Sequence, residues 1–195
     1  MPKIQVPTPE EVVRFNPKIK TLLPAIQQKC IRHVILCYKA GVPIRITQGR
    51  RTFQEQEQLW LKGRDLVRGV PDNDYIVAEG KIVTKVRKYG WHTLDQVEGA
   101  LAYDVVLLIL NSNGTTKTVT WEKGDRDQDG IDDWKEVADL GVEAGMDAGF
   151  YWKKFMDVPH FERHQGLLMA DAIRRHEGGL YVASGKPIPK DTGMA

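Results

Sequence analysis

What this chain lacks narrows what it can be. It has two cysteines, Cys30 and Cys37, in 195 residues. They stand seven apart in a stretch with helical spacing, which separates their Cα atoms by about 10 Å, whereas a disulfide needs less than about 7 Å. They are expected as core thiols, and the fold does not depend on oxidation. No apolar run reaches the roughly 18 residues of a membrane span. Charge of one sign is also missing: 28 Lys and Arg face 26 Asp and Glu, a net +2, so no basic field points to nucleic acid. The opening MPKIQVPTPEE lacks the charged-then-apolar layout of a secretory signal, and the cytosol is the expected location until something releases the protein. There is no internal repeat. Histidine is scarce, with five in all, yet two of them share one short segment.

What is present fits a single globular domain, 42% hydrophobic and 28% charged, able to bury its own core. Residues 1–16 hold three prolines and little periodicity and read as an extended lead-in. From Ile19 the apolar positions Leu22, Leu23, Ile26, Cys30, Val34 and Cys37 recur at helical spacing, with Pro24 in the first turn and Gly41 as a stop. His33 lies on that apolar face and reads as a packed core residue. VPIRITQG (42–49) alternates like a strand, and a short helix follows from Phe53 to Lys62. Residues 63–91 read as a long loop with a hairpin around Ile76–Val86, and loops of that length often carry function. ALAYDVVLLIL (100–110) is a buried strand. Helices are expected over Trp134–Ala148 and Leu167–Arg175, a strand over PHFER (159–163), and a flexible tail over 184–195. The class is α+β: a small, mostly antiparallel sheet with flanking helices.

The segment KKFMDVPHFERHQG (153–166) poses the question of a metal. In a strand, His160 and His164 point the same way but stand roughly 13 Å apart at 3.3 Å per residue, so they cannot share one ion. Pro159 and Phe161 favour a strand, and His160, behind its rigid Asp-Val-Pro lead, is the better ligand. A catalytic zinc takes three protein ligands and keeps one position open. Asp104 is a charge inside the apolar strand 100–110, where burial without a partner would cost several kcal/mol. It reads either as a metal ligand or as a strand-end Asp paired to an Arg. His92 lies upstream in YGWHTLDQ.

Four stretches in this order, GVPIRITQGRRTFQEQ, IVTKVRKYGWH, ALAYDVVLL and MDVPHFE, carry a resemblance. Together they resemble the zinc peptidases that cut peptidoglycan stem peptides, a family of D-alanyl-D-alanine carboxypeptidases and phage endolysins of the L-alanyl-D-glutamate endopeptidase type. The likeness spans about residues 17–165 and implies a zinc peptidase domain over 17–183. It implies Asp104 and His160 as zinc ligands, Asp157 as general base, and Arg51 as the residue that steadies the carbonyl oxygen as it gains charge; whether Arg50 or Arg51 takes that place depends on register. The chemistry suits the residue types. The family writes His-x-x-Gly-x-Ala-x-Asp for its first ligand. Counting back seven from Asp104 gives Val97, which cannot bind metal, and the Gly position holds Ala100. A five-residue enlargement within TLDQVEGA makes His92 the first ligand; the rival reading is a lost ligand and a dead site.

A second constellation is DRDQDGIDDWKE (125–136). Asp125, Asp127 and Asp129 occupy loop positions 1, 3 and 5, Gly130 position 6, Ile131 position 7, Asp133 position 9 and Glu136 position 12, the spacing of an EF-hand calcium loop. Asp132 at position 8 departs from it. The plainer alternative is a solvated acidic turn that caps a helix. The expected function is therefore a monomeric phage-type endolysin, active with Zn2+ and regulated by Ca2+. It would act on peptidoglycan stem peptides and stay in the host cytoplasm until lysis releases it to the wall. A D,D- or L,D-carboxypeptidase and a non-catalytic, calcium-dependent wall-binding or virion protein are the competing readings.

Overall fold

The computed structural model describes residues 4–62, 65–66, 75–76, 84–93, 99–111, 113–164 and 166–177. Among them, helix α1 spans Pro9–Phe15, a 3-10 turn Pro17–Thr21, and α2 Pro24–Ala40. Strand β1 (Ile44–Gln48) and α3 (Phe53–Leu61) follow, then the short pair β2 (Asp65–Leu66) and β3 (Tyr75–Ile76). After β4 (Ala102–Leu110) and β5 (Thr116–Thr120) come α4 (Asp133–Glu143), β6 (Asp147–Ala148), β7 (His160–Glu162) and α5 (Met169–Glu177). The α+β class holds.

β4 organises the sheet. Apart from Asp104, residues 102–108 are buried, as befits a strand covered on both faces. On one side it pairs antiparallel with β1. On the other it pairs with β7 through Ala102–Asp104 and with β5 through Leu107–Leu110, and β6 extends the sheet beyond β7. Side chains alternate across a strand, so register decides what each face carries. Tyr103 pairs with Phe161 on one face; their rings stack at 5.5 Å, and Phe161 also meets His33 of α2 at 4.5 Å. Asp104 pairs with His160 on the other. The helices α2 and α4, packed on each other, cover the first face and leave the second for chemistry.

His33 is the core residue expected. It is fully buried, its Nε2–H donates to the Val137 carbonyl at 2.9 Å, and its Nδ1 accepts from the Tyr103 hydroxyl at 3.0 Å. Burial pulls its pKa down to about 4, so the ring is neutral. Cys30 and Cys37 are free, buried thiols.

Several boundaries differ from expectation. The lead-in contains α1, because Thr8-Pro9-Glu10-Glu11 forms a capping box: Thr8 Oγ1 accepts from the Glu11 amide and Glu11 accepts from the Thr8 amide. α2 begins at Pro24 rather than Ile19, with Pro at its first position, and stops at Gly41 as expected. α4 ends at Glu143, not Ala148, since Gly145 turns the chain at φ +88°. β5 was not expected as a strand. The described pairing in this region joins Asp65–Leu66 to Tyr75–Ile76 instead of the hairpin expected around Ile76–Val86, and residues 84–86 form no strand; residues 77–83 lie outside the described residues, as do Val97 and the tail 184–195.

Candidate metal centre and cleft

Three separate segments bring the centre together. Asp104 and His160 are cross-strand neighbours on β4 and β7. His92 sits in a turn pinned at both ends: the Arg51 amide donates to the His92 carbonyl at 2.9 Å, and the Leu101 amide donates to the Trp91 carbonyl at 2.9 Å. The result is a triangle. His92 Nε2 lies 3.2 Å from Asp104 Oδ1 and 3.2 Å from His160 Nδ1, and His160 Nδ1 lies 3.0 Å from Asp104 Oδ1.

The remaining ring nitrogens explain why these atoms face inward. His92 Nδ1–H donates to the Gly49 carbonyl at 2.7 Å, and His160 Nε2–H donates to Glu162 at 2.9 Å. When both rings are neutral, each therefore turns its lone pair towards Asp104 Oδ1. Two lone pairs aimed at a carboxylate repel it unless a cation stands between them. Donors at about 2.0–2.1 Å around a tetrahedral zinc would be about 3.3 Å apart, close to the spacing found. The donor set, spacing and tautomers all fit a metal ion, and the outer acceptors are those that usually orient ligating histidines. Without a metal, a proton takes that place. Burial alone would lower the His160 pKa, but its bonds to Asp104 and Glu162 outweigh burial and raise it to about 10. Burial likewise opposes ionisation of Asp104, yet the two histidines hold it far below the usual carboxylate range.

The centre opens into a cleft of about 590 Å³. Arg51 lines it, whereas Arg50 is exposed and is not among the lining residues. Arg51 Nη1 donates to Gln56 at 2.7 Å and Nη2 lies 3.4 Å from Asp104 Oδ2. Asp157 also lines the cleft, and burial raises its pKa above the ordinary carboxylate value. Its amide donates to the Gly149 carbonyl at 3.0 Å, and a Cβ at Gly149 would come within 2.4 Å of the Asp157 carbonyl oxygen. Only glycine lets the two segments lie so close. His164 is apart from the triangle, stacked on Trp91 at 5.0 Å. Trp121, Trp152 and Phe155 form aromatic walls. Gln56 is not picked out by the sequence as part of the centre, and Glu162 is read there only as a fallback base, not as the acceptor that orients His160. A strand register placing Glu162 on the His160 face was the one available signal.

The acidic loop is local. The amides of Asp129 and Gly130 donate to Asp125, and the Ile131 amide donates to Asp129. Carboxylate oxygens of Asp125, Asp127 and Asp133, and of Asp127, Asp129 and Glu136, form two groups each within 4.8 Å. Asp133 is engaged otherwise, accepting from the Arg126 amide and guanidinium, both at 2.8 Å. Asp132 caps α4.

A small antiparallel sheet with helices on one face and a His-Asp-His cluster in a cleft on the other defines a metallohydrolase-like centre. The chain's similarity to known proteins lies in the direction of the resemblance that the four ordered motifs carry. The chain is 29% identical over 155 residues to the peptidoglycan L-alanyl-D-glutamate endopeptidase CwlK of Bacillus subtilis, covering 78% of this chain and 80% of that protein. The crystal structure of the Serratia marcescens L-Ala D-Glu endopeptidase ChiX overlaps 82% of this chain and 90% of its own at 19% identity, with a TM-score of 0.42. The chain matches no protein-family model.

Proposed function

We propose that this protein is a zinc peptidase that hydrolyses the L-alanyl–D-glutamate bond of peptidoglycan stem peptides. The observation that carries the reading is the convergence of His92 Nε2, Asp104 Oδ1 and His160 Nδ1, each oriented by an outer partner, at the wall of an open cleft. Bound there, zinc supplies Lewis acidity, making water nucleophilic near neutral pH and polarising a carbonyl. Asp157, half-buried beside the centre, takes the proton from the attacking water on its carboxylate and returns it to the leaving amine. Arg51, held by Gln56 and Asp104, presents positive charge to the carbonyl oxygen as it becomes an oxyanion. Gly49 and Glu162 keep the two imidazoles in their working tautomers. Mass spectrometry of digested sacculi tests the reading: peptides beginning in D-glutamate support it, and release of terminal D-alanine alone contradicts it.

The proposal includes a phage-type endolysin setting, in which the protein reaches the wall from the host cytoplasm at lysis. Clearing of outer-membrane-permeabilised Gram-negative cells by added protein tests it, and intact turbidity contradicts it. It also includes calcium at Asp125, Asp127, Asp129, the Ile131 carbonyl, Asp133 and Glu136, with Asp133 leaving Arg126 on binding. Support comes from Glu136 Oε2, which is buried and has no hydrogen-bond partner among the described residues. Burial and the neighbouring carboxylates push the Glu136 pKa up to about 7, a strain that a cation would relieve. A route to the cleft exists as well: Trp134, at the end of the loop, stacks at 6.2 Å on Trp121, which lines the cleft.

A further inference from the structure

Among the described residues lining the cleft, the Lys and Arg side chains are Arg51 and Lys85. Arg51 is committed to Gln56 and Asp104. Arg87 and Lys88, next along the chain, turn onto α3: Arg87 pairs with Glu57 and lies over Trp60, and Lys88 lies near Phe53. Lys85 differs. It is exposed, and its Nζ stands 4.6 Å from the centre of the Phe155 ring, two residues before Asp157. It thus reaches from one wall of the cleft to the wall that carries Asp157. A cation over an exposed ring is weakly held, and an ammonium binds a carboxylate more strongly.

The substrate class proposed above offers such a carboxylate. D-Glutamate in the stem is joined onward through its γ-carboxyl, which leaves its α-carboxylate free on the carbon that bears the scissile nitrogen. Asp104, Asp157 and Glu162 line the same cleft and would repel that anion, so its binding next to them calls for a cation. We propose that Lys85 moves off Phe155 to pair with this α-carboxylate and so selects peptidoglycan whose D-glutamate is free over peptidoglycan whose D-glutamate is α-amidated. Lys85 is a specificity-determining residue that takes no part in the bond cleavage, and the inference rests on the endopeptidase reading.

The experiment compares two synthetic stem peptides that differ only in a free α-carboxylate or its carboxamide on D-glutamate, cleaved by the zinc-loaded protein. Wild type should prefer the acid by about three- to tenfold in kcat/KM, mainly through KM, with the preference shrinking as salt rises. Lys85→Met should bring the ratio close to one while leaving kcat on the amide unchanged, and Lys85→Arg should retain the preference. An unchanged ratio in Lys85→Met overturns the assignment, as does an equal loss on both peptides, which would mark a wall role only. If zinc-loaded wild type cleaves neither peptide at this bond, the endopeptidase reading falls and this inference falls with it.

Discussion

The His92–Asp104–His160 centre draws its donors from segments as far as 68 residues apart in sequence, whereas the acidic loop draws all of its candidate donors from residues 125–136. In the centre, each imidazole is fixed by a second partner, and the opposite charges of imidazolium and carboxylate compensate when no metal is bound. The loop has like charges close together, answered mainly by its own amides and Arg126. The contrast teaches that a preorganised ligand set is recognised by the outer shell that aims it. A run of carboxylates at favourable spacing leaves its affinity to be set by how far the cation offsets their repulsion.

The largest effect that sharpens this contrast falls on Asp157. Asp157→Asn removes the proposed base and no ligand, so zinc should remain while turnover drops by roughly 10²–10⁴-fold. Retained turnover in a zinc-replete sample would move the base role to Glu162. Next in size is Glu162→Gln, which weakens the acceptor that orients His160. Zinc affinity, measured by chelator competition, should fall about 10–100-fold; unchanged affinity would remove Glu162 from the centre. Zinc must also displace the proton that Asp104 and Glu162 hold on His160, whose pKa they raise to about 10, so affinity should climb as pH rises through the neutral range.

The smallest effect belongs to the loop. Glu136 is protonated in the calcium-free fold up to about pH 7, but ionises near 4.5 when unfolded. Between those values the folded state binds more protons, so calcium-free stability should decline as pH rises from about 4.5 to about 7. Calcium should abolish that decline and raise activity, and Asp125→Ala or Glu136→Ala should remove both responses while zinc stays bound. Identical melting and activity in a calcium-selective chelator and in millimolar calcium would contradict calcium control.

Legibility followed the range of the interactions. β1 and β4 were legible from alternation and continuous apolar character, and β7 from Pro159 and Phe161, each a local mark. The placement of Asp104 beside His160 was not derivable from either segment alone; it depends on the register between β4 and β7, and only the order of the four motifs pointed to it. α1 was written in Thr8 and Glu11 but obscured by the prolines around them. β5, in which Thr alternates with Lys117 and Val119 on a mostly exposed surface, has little apolar pattern to show. The role of Gln56 depends on the fold of α3 against the 84–86 segment, where it donates to the Thr84 hydroxyl at 3.5 Å, and no local spacing encodes that.

The most direct test is metal content by elemental mass spectrometry on dialysed wild type and on His92→Ala, His160→Ala and His164→Ala, with circular dichroism to confirm folding. His92 decides most, because its enlarged spacing to Asp104 left a lost first ligand as the rival reading. One zinc per chain is expected in wild type and His164→Ala, and a near-complete loss in folded His92→Ala and His160→Ala. Stoichiometric zinc in His92→Ala, or its loss in His164→Ala with His160→Ala still loaded, would contradict the account.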